Sequence, residues 1–205
     1  MFHSIRERCD ALARNFREIP AERKLTLEKI AAFIKTKAAN NETSNLVYVC
    51  THNSRRSHFG QVWAAVAAAY YGIENIKTFS GGTESTAFNP NAIKALLAAG
   101  FDIKLTDESD NPIYQVYFSE TEFATCFSKV YNHPGNPSQN FAAIMTCSEA
   151  EENCPFIPNC DLRIATTYND PKAFDNTILQ DEKYTERSNQ VAMECLYLFS
   201  TLTKK

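Results

Sequence analysis

The sequence predicts an α/β protein in which a four-stranded parallel sheet is covered by helices on both faces, a three-layer sandwich. Three observations predict it. Short apolar runs at 46–50, 75–80, 141–147 and 162–166 alternate with helical patterns. Strands separated by helices return to the sheet as parallel neighbours. Cys50, Ser80, Cys147 and the loop after residue 166 all fall at the carboxyl ends of those runs, where open parallel sheets bind ligands.

From residue 3 onward, Ile5, Leu12, Phe16 and Ile19 recur at helical spacing. Ile19-Pro20 breaks the pattern, and 21–38 resumes it with Leu27, Ile30 and Ile34. Residues 1–44 are therefore expected to be a helical N-terminal extension, and 45–205 the main domain. The polar stretch Asn40 to Asn45 leads into the first strand. A helix is expected over 57–71, stopped by Gly72. The strand at 75–80 runs into Ser80-Gly81-Gly82-Thr83, where two glycines permit close backbone approach. Asn89-Pro90 opens a helix over 90–99, with Pro in its first turn and Gly100 at its end. Pro112 begins an aromatic, β-prone stretch with a turn at Ser119–Glu122, expected to be a β-hairpin inserted at about 111–140. The run 141–147 is apolar throughout, as a buried strand is. The final helix, about 180–202, aligns Tyr184, Val191, Cys195, Leu198 and Leu202.

The chain has 205 residues, 44% hydrophobic and 22% charged, as a soluble globular protein with its own core has. A net charge of −3 gives no reason to expect a nucleic acid or a membrane surface as partner. No apolar run approaches the roughly 20 residues of a membrane helix. Residues Met1 to Arg8 lack the apolar centre of a signal peptide, so a cytoplasmic location is expected. Seven cysteines, an odd number, read there as reactive or buried thiols rather than a disulfide framework.

Residues 50–57 read Cys-Thr-His-Asn-Ser-Arg-Arg-Ser. A strand ends in a cysteine, a short loop follows, and Arg56 comes six residues on. Such a loop can turn the amides of Thr51, His52, Asn53, Ser54, Arg55, Arg56 and Ser57 inward as an anion nest. The helix beginning near Ser57 adds its positive end. Arg56 supplies a planar, two-pronged donor. The same field favours a thiolate nucleophile at Cys50, and the Ser57 hydroxyl can bond to it. His52 and His58 flank the loop, where either could tune the site electrostatically, although exposed loop histidines are more often incidental. Arg55 points towards the site or into solvent.

Two further parts lie at the same edge. Cys147 ends a buried strand and Cys154 follows seven residues on, across an acidic segment. On a helix the two thiols share a face about 10 Å apart. A disulfide needs Cα atoms within about 7 Å, so the pair could bond only if the segment unwinds. Two buried cysteines beside an acidic surface helix are the plainer alternative. No Cys-x-x-Cys pair or His cluster completes a zinc site, and no metal is expected. Asn169-Asp170-Pro171 follows the last strand. A rim Asp can protonate a leaving oxygen, and Asp-Pro is equally a common turn.

Together these parts resemble the low-molecular-weight tyrosine phosphatase superfamily, and within it the thioredoxin-coupled arsenate reductases. Cys50-Thr51-His52-Asn53-Ser54-Arg55-Arg56-Ser57 is similar to the family's phosphate loop. Ser80-Gly81-Gly82 resembles its Ser-Ala-Gly turn, Asn89-Pro90-Asn91-Ala92 resembles its following helix start, and Asp170-Pro171 falls where its general acid sits. Cys147-Ser148-x-Ala150-x-x-Asn153-Cys154-Pro155 resembles the reductases' redox segment. The resemblance covers about 46–175. His52 stands where the family has glycine, and Arg55 where it has a second cysteine.

That resemblance implies a three-thiol relay. Cys50 attacks arsenate held by the loop amides and Arg56, and Asp170 protonates the departing oxygen. Cys147 then attacks Cys50, and Cys154 attacks Cys147. No tightly bound cofactor is implied, and reduced thioredoxin is the implied electron donor. The rival is a phosphotyrosine phosphatase using Cys50, Arg56 and Asp170 alone. Lys172-Ala173 follow Asp170-Pro171 where those phosphatases place aromatics, which favours the reductase.

Overall fold

The computed structural model describes residues 1–153 and 156–203. Pro20 separates helix α1 (His3–Ala13), with its trailing 3-10 turn Phe16–Glu18, from α2 (Ala21–Ala39). The chain then enters strand β1 (Ser44–Cys50) and helix α3 (Arg56–Tyr71). Gly72 closes α3 with φ of 65°, the left-handed cap that a residue without Cβ adopts at least cost. Strand β2 (Ile76–Gly82) and helix α4 (Pro90–Ala98) follow. Asn89 caps α4, its side chain accepting from the Asn91 and Ala92 amides.

After α4 come β3 (Asp102–Leu105), β4 (Tyr114–Tyr117), β5 (Phe123–Cys126) and β6 (Phe141–Met145). The chain continues through α5 (Ser148–Asn153), β7 (Cys160–Ala165), a 3-10 turn Pro171–Phe174 and α6 (Gln180–Ser200). The main sheet is parallel throughout, in the order β2-β1-β6-β7. All four carboxyl ends therefore lie at one edge.

The period-two alternation of β1 divides the core. Leu46 and Tyr48 face the side of α1, α2, α3, α4 and α6. Val47 and Val49 face the side of α5, where Ala150, Ile157, Phe79 and Tyr131 cover them. α6 runs against α1, α2, α3 and α4, and the Trp63 indole N–H donates to Ser188 Oγ (2.9 Å), joining α3 to α6. Ile5, Cys9, Leu27, Ile30 and Ile34 of the N-terminal helices are buried in that same cluster.

The inserted hairpin is β4–β5, turning at Ser119–Glu122, and it carries a third strand. β3 pairs antiparallel with β4 to give the order β3-β4-β5. The sequence pattern passes over β3 because it is four residues long, largely exposed, and half charged. Residues 127–140 are irregular, apart from a bridge between Val130 and Gly82. No helix among the described residues is long and apolar enough to cross a membrane.

Candidate active site

β1 stops at Cys50 and α3 starts at Arg56, leaving a loop of five residues between them. Its carbonyls are turned outward. Cys50 C=O accepts from the Thr83 amide, Thr51 C=O from the Glu84 amide, and Ser54 C=O from the Asn89 amide. His52 C=O accepts from the hydroxyls of Ser128 (2.9 Å) and Thr86 (3.2 Å). Among the described residues, no loop amide from Thr51 to Arg55 donates to any acceptor. A ring of outward carbonyls and unengaged amides is an anion nest.

Asn53 holds the loop in shape. It adopts φ of 44°, a left-handed conformation that Asn tolerates better than most residues. Its carboxamide donates to Ser57 Oγ (2.9 Å) and accepts from the Lys129 amide (2.9 Å). Ser57 Oγ lies 3.1 Å from Cys50 Sγ. The left-handed position falls at Asn53 rather than at His52, so the side chain at 52 costs the backbone nothing. Gly82 explains the glycine pair: a Cβ there would lie 2.6 Å from Thr51 O and 2.8 Å from Asn53 N. At Gly81 a Cβ would meet the Tyr131 backbone at 2.4 Å.

Arg56 is 8% exposed. It donates to Tyr168 C=O (2.9 Å) and to Asp170 Oδ2 (2.6 Å). Its Nε is buried and donates to nothing among the described residues. Asp170 also accepts from the Lys172 amide (3.0 Å), capping the 3-10 turn that follows. The candidate nucleophile loop and candidate acid are thus joined through one guanidinium.

Arg55 turns its side chain away from the nest. Its Nε donates to Tyr184 Oη (2.7 Å), Tyr184 donates to Asp175 (2.7 Å), and an Arg55 Nη lies 3.4 Å from Asp175. Burial and the Asp175 acceptor push the Tyr184 phenol up to about 12, so it remains a donor. Arg55 therefore offers the site its amide, while its charge anchors the segment after Asp170. His52 is half exposed, near Glu84. His58, expected at the surface, is fully buried in the first turn of α3. Its Nδ1 lies 3.2 Å from Ser80 Oγ and its ring packs on Phe88. Burial, helped by the charge of Lys129 and opposed by the Asn53 carbonyl, holds it well below the usual histidine range.

Cys147 sits beside the loop. Its sulfur lies 3.4 Å from Thr51 Oγ1, and the Ala150 amide donates to it (3.3 Å). Thr51 also donates to Glu149 (3.1 Å). The intervening segment is helical, as α5. Cys154 lies outside the described residues. Cys160, at the start of β7, is half-buried and bonded to Ile157 C=O (3.2 Å).

The segment 128–130 was legible only as part of a β-prone stretch, yet it props the loop. Ser128 Oγ bridges His52 C=O and the Thr86 amide. Lys129 C=O accepts from the Gly82 amide (2.8 Å). Nothing in the local pattern marks these residues, because each acts across a gap in the chain.

A parallel sheet in the order β2-β1-β6-β7, with a Cys-to-Arg loop between β1 and α3, defines the low-molecular-weight phosphatase fold. The backbone superposes on an arsenate reductase in a phosphate-binding state with a TM-score of 0.51 and 18% identity, covering 78% of this chain and all of that one. A low-molecular-weight phosphotyrosine phosphatase from Vibrio cholerae O395 gives a TM-score of 0.50 at 14% identity, covering 78% of this chain and 97% of that one. These likenesses show the fold. In sequence the chain is similar to the arsenate reductase of Bacillus subtilis strain 168, 28% identical over 146 residues, which are 70% of this chain and 84% of that one. It is also similar to arsenate reductase 2 of Staphylococcus epidermidis ATCC 35984, 25% identical over 117 residues, 57% and 70% of the two chains. No family model matches the chain. The relatives by sequence and by fold are named as enzymes.

Proposed function

We propose that this chain is an arsenate reductase of the cytoplasm that uses Cys50 as nucleophile and Cys147 and Cys154 as a disulfide relay, with reduced thioredoxin as electron donor. One observation carries the reading: a second buried thiol, Cys147, lies against Thr51 of the nest and receives an amide N–H from α5. In a hydrolase that thiol would take no part in the chemistry.

In the first step, arsenate enters the amides of Thr51 to Ser57 and takes hydrogen bonds from Arg56, whose Nε has no acceptor among the described residues. The Cys50 thiolate bonds to arsenic, and Asp170 gives a proton to the oxygen that departs as water. Cys147 thiolate then attacks Cys50 sulfur. The S–S bond forms, the sulfur–arsenic pair stays on arsenic, and arsenic leaves as arsenite, two electrons richer. Cys154 thiolate attacks Cys147, which frees Cys50. The Cys147–Cys154 disulfide accepts two electrons from a dithiol donor. Were the helical conformation to extend from Cys147 to residue 154, the two positions would lie about 10 Å apart along its axis, so the segment would have to unwind for that bond to form.

The second reading is phosphomonoester hydrolysis through a phosphocysteine. It is favoured by the Arg56–Asp170 pair, which serves a phosphoryl group as well as an arsenate. The test runs arsenate-dependent NADPH oxidation, with thioredoxin and thioredoxin reductase, beside para-nitrophenyl phosphate hydrolysis. Arsenate turnover that disappears in Cys147→Ser, with ester hydrolysis retained, supports the relay. Hydrolysis without arsenate reduction would make the chain a phosphatase and leave Cys147 and Cys154 a structural role.

A further inference from the structure

Away from the nest, a cavity of about 1050 Å³ opens between α3, β2 and the end of β5. Phe79, Phe118, Phe127, Ala65, Ala68 and Lys129 line it. Lys129 is only 5% exposed. No carboxylate meets its ammonium among the described residues, and the group rests on the face of the Phe127 ring at 4.3 Å. A buried ammonium is normally paired, because its desolvation is costly. Burial lowers the Lys129 pKa to about 8, so the group is still largely charged at neutral pH. Its near neighbours do not compensate it. The Cys126 thiol is pushed up to about 12 by burial, and burial likewise holds His58 neutral.

We propose that this cavity is a binding site for a small organic carboxylate carried on an apolar body, with Lys129 as the counter-ion. The phenylalanines and alanines on an otherwise mixed wall account for the body, and an ammonium with no carboxylate partner among the described residues accounts for the anion. A monoanion fits better than a phosphate. Among the described residues, Lys129 is the buried cation on the wall, while Arg6 and Lys77 are exposed and share the rim with Glu74 and Glu122. A dianion would be left half-neutralised in a desolvated place. The site is separate from the oxyanion nest. Lys129 touches the nest through its backbone, whose amide meets Asn53, and not through its ammonium.

The test is calorimetric titration of the full chain with 4-phenylbutyrate, beside 4-phenyl-1-butanol and acetate. The expected result is saturable binding of 4-phenylbutyrate at one site, with each control weaker by about tenfold or more. Lys129→Met should weaken it by about tenfold or more, and Lys129→Arg should retain most of it. A second readout uses the unaltered chain: reductive methylation followed by mass spectrometry, with 4-phenylbutyrate expected to protect Lys129 and not Lys77. Absence of saturable binding up to about 10 mM, equal affinity in Lys129→Met, or equal methylation of Lys129 with and without the ligand would each overturn the proposal.

Discussion

The Arg56 guanidinium and the Asp170 carboxylate meet at 2.6 Å, although 114 residues separate them in the chain. The pair places the cation of the oxyanion loop and the candidate acid in direct competition. In the proposed mechanism, an oxyanion entering the nest takes hydrogen bonds from Arg56 and weakens the hold of Arg56 on Asp170.

Asp170→Asn tests this coupling. Turnover of para-nitrophenyl phosphate should fall by about 10²–10⁴-fold, the usual worth of a general acid. Competitive inhibition by phosphate should stay equal or tighten, because a charged competitor for Arg56 is gone. Weaker phosphate inhibition in the variant would show that Asp170 helps hold the anion instead.

Asn53 is the loop's brace, with a left-handed backbone and two buried hydrogen bonds. Asn53→Ala leaves Ser57 without its donor and the Lys129 amide without its acceptor. The expected loss is about 2–3 kcal/mol in urea unfolding. Cys50 alkylation by iodoacetate should slow, and phosphate should protect it less.

Two glycines make a matched pair for mutation. At Gly82 a Cβ would meet backbone atoms of Thr51, Asn53 and Glu84, none of which can swing aside. Gly82→Ala should cost more than about 3 kcal/mol or abolish folding. At Gly72, φ is 65° and nothing lies within 4 Å, so Gly72→Ala should cost only about 1 kcal/mol in thermal unfolding. Equal losses would mean that the loop is not packed as described.

His58 gives stability a pH dependence. Its folded pKa lies well below the usual 6.5, while the unfolded chain titrates near that value. The unfolded state therefore binds the extra proton first as pH falls. Stability is complete above pH 6.5 and is lost below it, by at most about 1.4 kcal/mol per pH unit. Melting curves from pH 7.5 to 5 should fall more steeply for the native chain than for His58→Gln, which can keep a bond to Ser80. Parallel curves would remove His58 as the acid-sensitive group.

The local signals for the fold were strong: Pro20 between helices, Gly72 and Gly100 at helix ends, and apolar runs of strand length. β3 carried no such signal, since a four-residue edge strand with exposed, charged side chains looks like a loop. Cys50, Arg56 and Ser57 were legible because their chemistry depends on close spacing. The Arg56–Asp170 bond, the burial of His58 under Phe88, and the prop formed by Ser128 and Lys129 were not. Each depends on residues brought together from distant parts of the chain, and no short pattern records such a meeting.

Cys50 and Cys147 leave adjoining strands. Val49 stands opposite Met145 in the ladder, and the Thr146 amide and hydroxyl both close on Val49 C=O. Hydrogen-bonded strands keep a pitch of about 4.8 Å whatever the chain does between them. The sheet is a ruler for the two thiols. The turns of the antiparallel sheet could be lengthened or exchanged without altering the step between the two strand ends, whereas a slip in register between β1 and β6 would reset it.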